Sequence, residues 1–329
     1  MAEGAELLVR SRRWMAWGVA VAAVLYVAGS VVAGVASVGD ALGAFRWRWY
    51  VPVLLLTLVN YGLRGWKWGY LLRRLGVHVH WQDNLLIFVS GLAMVISPGK
   101  AGELLKPYLV RARTGAPMAH TIPALVTERL TDGIAALALA AIGVSRYAGD
   151  RAAYVYVPIV VTVLGLAVLS TERLSLAILG LMVRLPLIRG ISAKLLEMYQ
   201  AMRICVAPVP LFVTVAASLV AWGAECIGYQ LIFVGFGRDV PLGAATFLYA
   251  FATIAGGAMP GGLGVADGAL VVGAVELFPG CGRGEALAAS LLIRVATLWF
   301  GVVLGALALL RVGRLLTEPA HSEGSAPGA

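Results

Sequence analysis

The sequence predicts an all-α polytopic integral membrane protein: about six full spans plus two re-entrant hairpins broken at Pro-Gly, arranged as an inverted-topology repeat. Three observations carry this. The 329 residues are 60% hydrophobic and only 13% charged, with a mean hydropathy of +0.87, far more apolar surface than a soluble globule of this size requires. Six runs, at 14–37, 49–71, 117–143, 153–170, 210–236 and 286–310, match the roughly 17–25 mostly apolar residues of a crossing helix. Two further apolar segments are interrupted, at Ser97-Pro98-Gly99-Lys100-Ala101-Gly102-Glu103 and at Met259-Pro260-Gly261-Gly262-Leu263-Gly264-Val265-Ala266-Asp267. Irregular backbone at membrane depth is tolerated only where protein or a watery cavity surrounds it, and matched breaks in two halves point to a transport site.

Taken in order, residues 1–13 form a basic cytoplasmic amino terminus, with Arg10, Arg12 and Arg13 before the run 14–37. That run is too long for the roughly 7–15-residue apolar core of a cleavable signal, so it is read as an uncleaved first span. A single transmembrane domain is expected over 14–316, its first half at 49–170 and its second at 210–312. Residues 84–97 offer too few apolar positions before Pro98, and Lys100, Glu103, Lys106, Arg111 and Arg113 follow, so 84–113 reads as a re-entrant hairpin. Residues 242–278 read either as a second hairpin or as two short, tightly linked spans. Between the halves, leucines over 171–207 alternate with Arg184, Arg189, Lys194 and Arg203, and Pro186 and Gly190 break the run; this suits amphipathic helices lying in the inner interface. Trp47, Trp49 and Tyr50 suit an interfacial belt. The tail 317–329, rich in Pro, Ser, Gly and Ala, reads as disordered.

Of the 26 Lys and Arg residues, Arg129 and Arg294 fall within spans, and Arg46, Arg48, Arg146, Arg151, Arg238 and Arg283 fall in loops on one side. The other 18 fall on the amino-terminal side. The positive-inside rule then places both termini in the cytoplasm of a multi-pass plasma-membrane protein. With that layout the first hairpin enters from the cytoplasm and the second from outside, so the halves are inverted. The net charge of +9 is orienting charge in short loops, not a nucleic-acid footprint. Cys205, Cys226 and Cys281 are odd in number and lack metal-ligand spacing, and His78, His80 and His120 show no zinc pattern. The cysteines are expected to be packing residues. No cofactor is expected.

The candidate chemistry lies in the spans and breaks. Glu128, Arg129 and Asp132 share one span; Glu128 and Asp132 lie on one helix face, and Arg129 is three residues from Asp132. Charges in a span cost about 2.5–3.5 kcal/mol each, so three together imply mutual pairing or a hydrated cavity. They form either a locking network between helices or a polar path with Arg129 facing an anion. Arg294 has no acid nearby in sequence; Asp267, Glu225 and Glu276 are candidate partners, and a guanidinium also suits phosphate. After Gly99 and after Gly261-Gly262 a restarting helix would present backbone N–H groups to an anion, with Lys100 beside the first break. Gly102 and Gly264 would allow close backbone approach. Glu103 and Asp267 would poise the arginines, carry protons, or simply cap the helices. Arg64 and Lys67, flanked by Trp66 and Trp68, are expected to snorkel to the inner headgroups. Gly301 and Gly305 form a GxxxG, a weak signal in a chain with forty glycines. Walker A, HExxH and GxSxG patterns are absent, which argues against an enzyme.

Arg64 with Trp68-Gly69-Tyr70-Leu71-Leu72 and Gly76, Pro98-Gly99-Lys100-Ala101-Gly102-Glu103-Leu104, Glu128-Arg129-Leu130, Pro260-Gly261-Gly262-Leu263-Gly264-Val265 and Arg294 together resemble the lysylphosphatidylglycerol synthase transmembrane family, also called flippase-like membrane proteins. The resemblance covers about residues 14–312 and implies an integral plasma-membrane protein whose relatives are linked to moving lipids between leaflets. In the best-known members a soluble domain that aminoacylates phosphatidylglycerol follows; this sequence shows none, so it is not expected to aminoacylate lipid. Asp267 stands where the family usually has Glu. The function expected is translocation of a phosphate-bearing lipid, of phospholipid or polyprenyl-phosphate type, with membrane lipids of anionic or phosphate headgroup as partners. The alternatives are a membrane enzyme using a lipid-linked donor, and a non-catalytic scaffold for an envelope-assembly enzyme.

Overall fold

The computed structural model describes residues 35–97, 102–144, 153–170, 192–257 and 259–317, with isolated positions 24, 147, 173 and 180. Most of the predicted first span 14–37, the amino terminus, the Pro98-Gly99-Lys100-Ala101 break, the stretch 171–191 and the tail beyond Thr317 lie outside the described residues. All regular structure among the described residues is helical.

The arrangement is set by a central pair of long helices, α2 (Tyr50–Arg74) and α8 (Pro208–Gly235). They run antiparallel. Arg46 N–H donates to the Gly235 carbonyl (2.9 Å), Asn60 Nδ2 to the Ala221 carbonyl (3.0 Å), and Lys67 Nζ to Ser218 Oγ (2.6 Å). A short α1 (Val35–Ala44) precedes α2.

From the end of α2 the chain turns at Gly76 (φ 75°), a left-handed conformation that suits glycine. It then enters α3 (Trp81–Leu92), which tightens into a 3-10 turn at Ala93–Ile96. After the break, α4 (Leu105–Thr114) returns, and Arg113 Nε to Asp83 Oδ2 (2.7 Å) closes the mouth of this elbow. The next helix, α5 (Met118–Gly143), starts beside the end of α2, where His120 Nε2 reaches the Leu75 carbonyl at 2.9 Å. It is followed by α6 (Ala153–Ser170) and, across the connector, by α7 (Ser192–Cys205), which packs on α5.

The second elbow starts at the far end of the bundle. Helix α9 (Leu242–Ala255) leaves the end of α8, a 3-10 turn at Pro260–Gly262 forms the bend, and α10 (Val265–Leu277) returns. Gly261, Gly262 and Gly264 all have positive φ, so only glycine runs this bend without strain. The return is pinned to the end of α8: Phe278 stacks edge-on against Phe233 at 4.7 Å, and Arg238 donates to the carbonyls of Pro279 and Gly280. The arms have 14 and 13 residues, about 20 Å each at 1.5 Å per residue, short of a hydrocarbon core of about 30 Å. The bend and second arm together, Pro260–Leu277, are nonetheless long and apolar enough to cross, so the hairpin and the two short linked spans both fit 242–278. Then α11 (Arg283–Arg294), a π turn (Val295–Trp299) and α12 (Phe300–Thr317) form one continuous helical rod.

Because α2 and α8 are antiparallel, the two elbows enter from opposite ends. Their tips meet around Ile96, Leu298, Val302 and Leu263, and a Cβ placed on Gly261 would sit 3.1 Å from Ile96 Cγ2. The packing is crossed: α3 lies along α12, and α9 lies along α5. Each elbow's first arm thus leans on the long helix that follows the other elbow, in keeping with an inverted repeat. Gly301 and Gly305, a weak sequence signal, matter here: a Cβ on Gly305 would strike the Ala93 backbone nitrogen, and one on Gly301 the Tyr61 hydroxyl.

The bundle exposes apolar side chains and buries polar ones within a largely apolar core. Val51, Leu55 and Phe212 face outward, whereas Thr57, Asn60, Lys67, Glu128, Asp132 and Ser218 are buried, as expected of a protein solvated by lipid. By length and composition, the helices able to cross a membrane among the described residues are Pro208–Gly235, Pro260–Leu277 and Arg283–Val312. Helices α2 and α5, at 25 and 26 residues, have the length but carry buried charges. The three cysteines are buried and free, in keeping with packing roles.

Candidate functional site

On α2 the polar positions Thr57, Asn60, Arg64 and Lys67 recur every three or four residues, so they form one inward stripe. On α8, Thr214, Ser218 and Glu225, spaced by four and then seven residues, also share one side. Helix α5, lying against both, brings Glu128, Arg129 and Asp132 between these stripes.

A charge cluster results. Lys67 Nζ, fully buried, lies 2.6 Å from Asp132 Oδ1 and 2.6 Å from Ser218 Oγ, with Thr131 Oγ1 at 3.1 Å and the Glu128 carbonyl at 3.2 Å. An ammonium has three donors, so these acceptors saturate it. Lys106 from α4 donates to Glu128 Oε2 and rests 4.5 Å from the Trp68 ring centroid, a cation–π contact. Arg64 Nε is 3.3 Å from Asp132 Oδ2, and its Nη2 is 3.7 Å from Glu128 Oε1. Arg129 bridges three acids: Nε to Glu103 Oε2 at 3.1 Å, Nη2 to Glu128 Oε1 at 2.6 Å and Nη1 to Asp132 Oδ2 at 3.8 Å. Four cations thus face three carboxylates, leaving one positive charge in excess.

The snorkelling expected of Arg64 and Lys67 does not occur: Arg64 is 7% exposed and Lys67 0%. Ion pairing with Asp132 satisfies them inside the bundle. Lys106 is likewise buried rather than in a loop. Subtracting these three from the 18 on the amino-terminal side of the predicted layout leaves 15 Lys and Arg against 6, so the charge bias in the sequence persists.

The second elbow carries a smaller counterpart. Arg294 Nε is 3.1 Å from Asp267 Oδ1, and its Nη2 donates to the Gly261 carbonyl. Asp267 Oδ2 accepts the Gly264 N–H at 2.9 Å. With two oxygens, Asp267 both caps α10 and holds Arg294, so two of the three roles left open by the sequence coexist. The parallel is close: in each half the acid just beyond the break pairs through arginine Nε with the next long helix, Glu103 with Arg129 and Asp267 with Arg294.

At the described parts of the breaks, several glycine N–H groups that could face an anion have partners within the chain. Gly102 N–H donates to Ser97 Oγ (2.9 Å), Gly262 N–H to the Met259 carbonyl (3.0 Å) and Gly264 N–H to Asp267; Gly261 contributes its carbonyl, to Arg294. These bonds occupy part of each bend's backbone. Gly99 and Lys100 lie outside the described residues.

Both centres open onto one cavity of about 410 Å³, within the range of small-molecule sites. Arg64, Glu103, Arg129, Asp132, Glu225 and Arg294 line it, together with Tyr61, Trp222, Tyr249, Gly261 and Gly262. Glu128, Asp267, Gly102 and Gly264 stand behind this wall. Arg129 is the most open of the cations, its side chain 29% exposed. The sequence reading missed Arg64, Lys67, Lys106, Glu225 and Tyr249 as site residues; for the α2 and α8 members, the polar stripe was the available signal.

A family model described as the lysylphosphatidylglycerol synthase TM region matches residues 15–305. A UPF0104 membrane protein of Methanothermobacter thermautotrophicus is 22% identical over 315 residues, covering 88% of this chain and 92% of that protein. No solved structure matches.

Proposed function

Since the chain belongs to the lysylphosphatidylglycerol synthase TM-region family of membrane proteins, we propose that it carries a phosphate-bearing lipid from one leaflet to the other. The lipid is of phospholipid or polyprenyl-phosphate type, the membrane is the cytoplasmic one, and both termini face the cytoplasm. The observation that carries the proposal is the convergence of two arginine–acid pairs, from elbows inserted at opposite ends, on one internal cavity.

In this reading the headgroup enters while the acyl chains stay in lipid. Arg129 and Arg294 offer planar donor pairs to phosphate oxygens. Glu103 and Asp267 hold the two guanidiniums in place when phosphate is elsewhere, which spares the cost of an unpaired buried charge. The crossed packing lets one repeat rock against the other and expose the cavity to each side in turn. Lys67, Lys106 and Glu128 are structural: they anchor the wall on which Arg129 stands. In this reading the lipid is moved without chemical change.

The test is a reconstituted-vesicle assay. Purified protein in phosphatidylcholine–phosphatidylglycerol vesicles is expected to speed exchange of fluorescent phosphatidylglycerol between leaflets, with the recovered lipid unchanged in mass. Exchange no faster than in protein-free vesicles overturns the proposal, and a mass change in the lipid would instead identify an enzyme.

A further inference from the structure

Glu225 differs from every other acid at this site. Glu103, Glu128, Asp132 and Asp267 each sit within ion-pair distance of a cation. Glu225, only 5% exposed, has no cation at that distance among the described residues; its hydrogen bond comes from the neutral Tyr249 hydroxyl, at 2.7 Å. The groups that face it are Arg64 and Tyr61 from α2, Asp132 from α5, Tyr249 from α9 and Arg294 from α11, and all of them line the same cavity. A buried carboxylate without a counter-ion is expensive as an anion and inexpensive as a neutral acid.

The charge balance gives that protonation a consequence. The first cluster has one positive charge in excess, and the Arg294–Asp267 pair is neutral. With Glu225 ionised the cavity wall sums to zero. With Glu225 protonated it carries one net positive charge, the complement of a phosphodiester monoanion. An ionised Glu225 also competes with phosphate for Arg64 and Arg294, the two cations that face it.

We propose that Glu225 is the proton-binding residue of this site. It takes a proton from water onto its carboxylate as a phosphate headgroup enters, and returns that proton to water as the headgroup leaves, so that lipid and proton move together. The lipid part rests on the proposed function; the proton part rests on Glu225 itself.

Titration calorimetry with full-length protein in detergent, run in two buffers of different ionisation heat, reads the coupling directly. Dihexanoyl phosphatidylglycerol is the probe, and inorganic phosphate is run in parallel. Wild type is expected to take up protons on binding lipid, approaching about one per lipid as the pH rises. Glu225→Gln is expected to bind with none, and Glu225→Asp to restore uptake, which also guards against a misfolded glutamine variant. In vesicles the wild-type rate is expected to fall by up to about tenfold per pH unit on the alkaline side, whereas Glu225→Gln stays level within about twofold. Proton uptake that survives in Glu225→Gln overturns the proposal, as does lipid binding by wild type without uptake. Uptake with inorganic phosphate but not with lipid overturns the assignment to a lipid headgroup. Uptake on lipid binding by a protein that moves no lipid leaves the proton site standing and removes the transport reading.

Discussion

Replacing Asp132 with alanine is expected to destabilise the protein by about 3–5 kcal/mol, the cost of breaking a buried ion pair from one side. Asp132 Oδ1 accepts from Lys67 at 2.6 Å and from Ser218 at 3.0 Å, while Oδ2 faces Arg64 at 3.3 Å. Its loss strands an ammonium with no exposure at all, in a bundle where lipid offers no compensating water. It also frees Arg64 from its nearest acid. Thermal loss of monodispersity in detergent reads the effect. The double variant Lys67→Met/Asp132→Leu is expected to recover more than half of the loss, because it removes the stranded charge as well as its partner. A single variant as heat-stable as wild type would show that the pair carries no structural load.

Arg294→Ala is expected to leave the fold intact and to slow lipid exchange by on the order of a hundredfold. The fold survives because Asp267 keeps the Gly264 N–H at 2.9 Å, so α10 stays capped. The rate falls because phosphate loses two charge-assisted hydrogen bonds, worth about 1.5–3 kcal/mol each. Arg294→Lys is expected to restore only part of the rate, since an ammonium lacks the planar fork. Exchange within about twofold of wild type, from well-folded Arg294→Ala protein, would remove Arg294 from the headgroup path.

The long helices were legible because lipid demands long apolar runs, and α2, α5, α6, α8 and the α11–α12 rod fall where those runs are. The elbows were legible because Pro-Gly within apolar sequence leaves few other readings. Hidden were the partnerships that depend on helices meeting in space. Lys106 finds Glu128 across 22 residues, and Lys67 finds Asp132 across 65. Arg64 and Lys67 looked interfacial because Trp66, Trp68, Arg73 and Arg74 surround them in sequence. Helical spacing instead turns Thr57, Asn60, Arg64 and Lys67 to one inner side. Glu225 stood alone in an apolar span, and its partner Tyr249 arrives on the second elbow. Asp267 was legible as a candidate, but its double engagement with Gly264 and Arg294 needed the bend of three left-handed glycines to be seen.

A chamber shared by the two halves requires the elbows to enter from opposite faces of the membrane. Cysteine labelling in intact cells measures this, with Cys205, Cys226 and Cys281 first replaced by alanine. Thr114→Cys reports the mouth of the first elbow and Asp239→Cys that of the second; both positions are exposed. An impermeant maleimide is expected to label Asp239→Cys from outside and Thr114→Cys only after the membrane is opened. Labelling of both from the same side would contradict the inverted arrangement, and with it the shared chamber on which the transport reading is built.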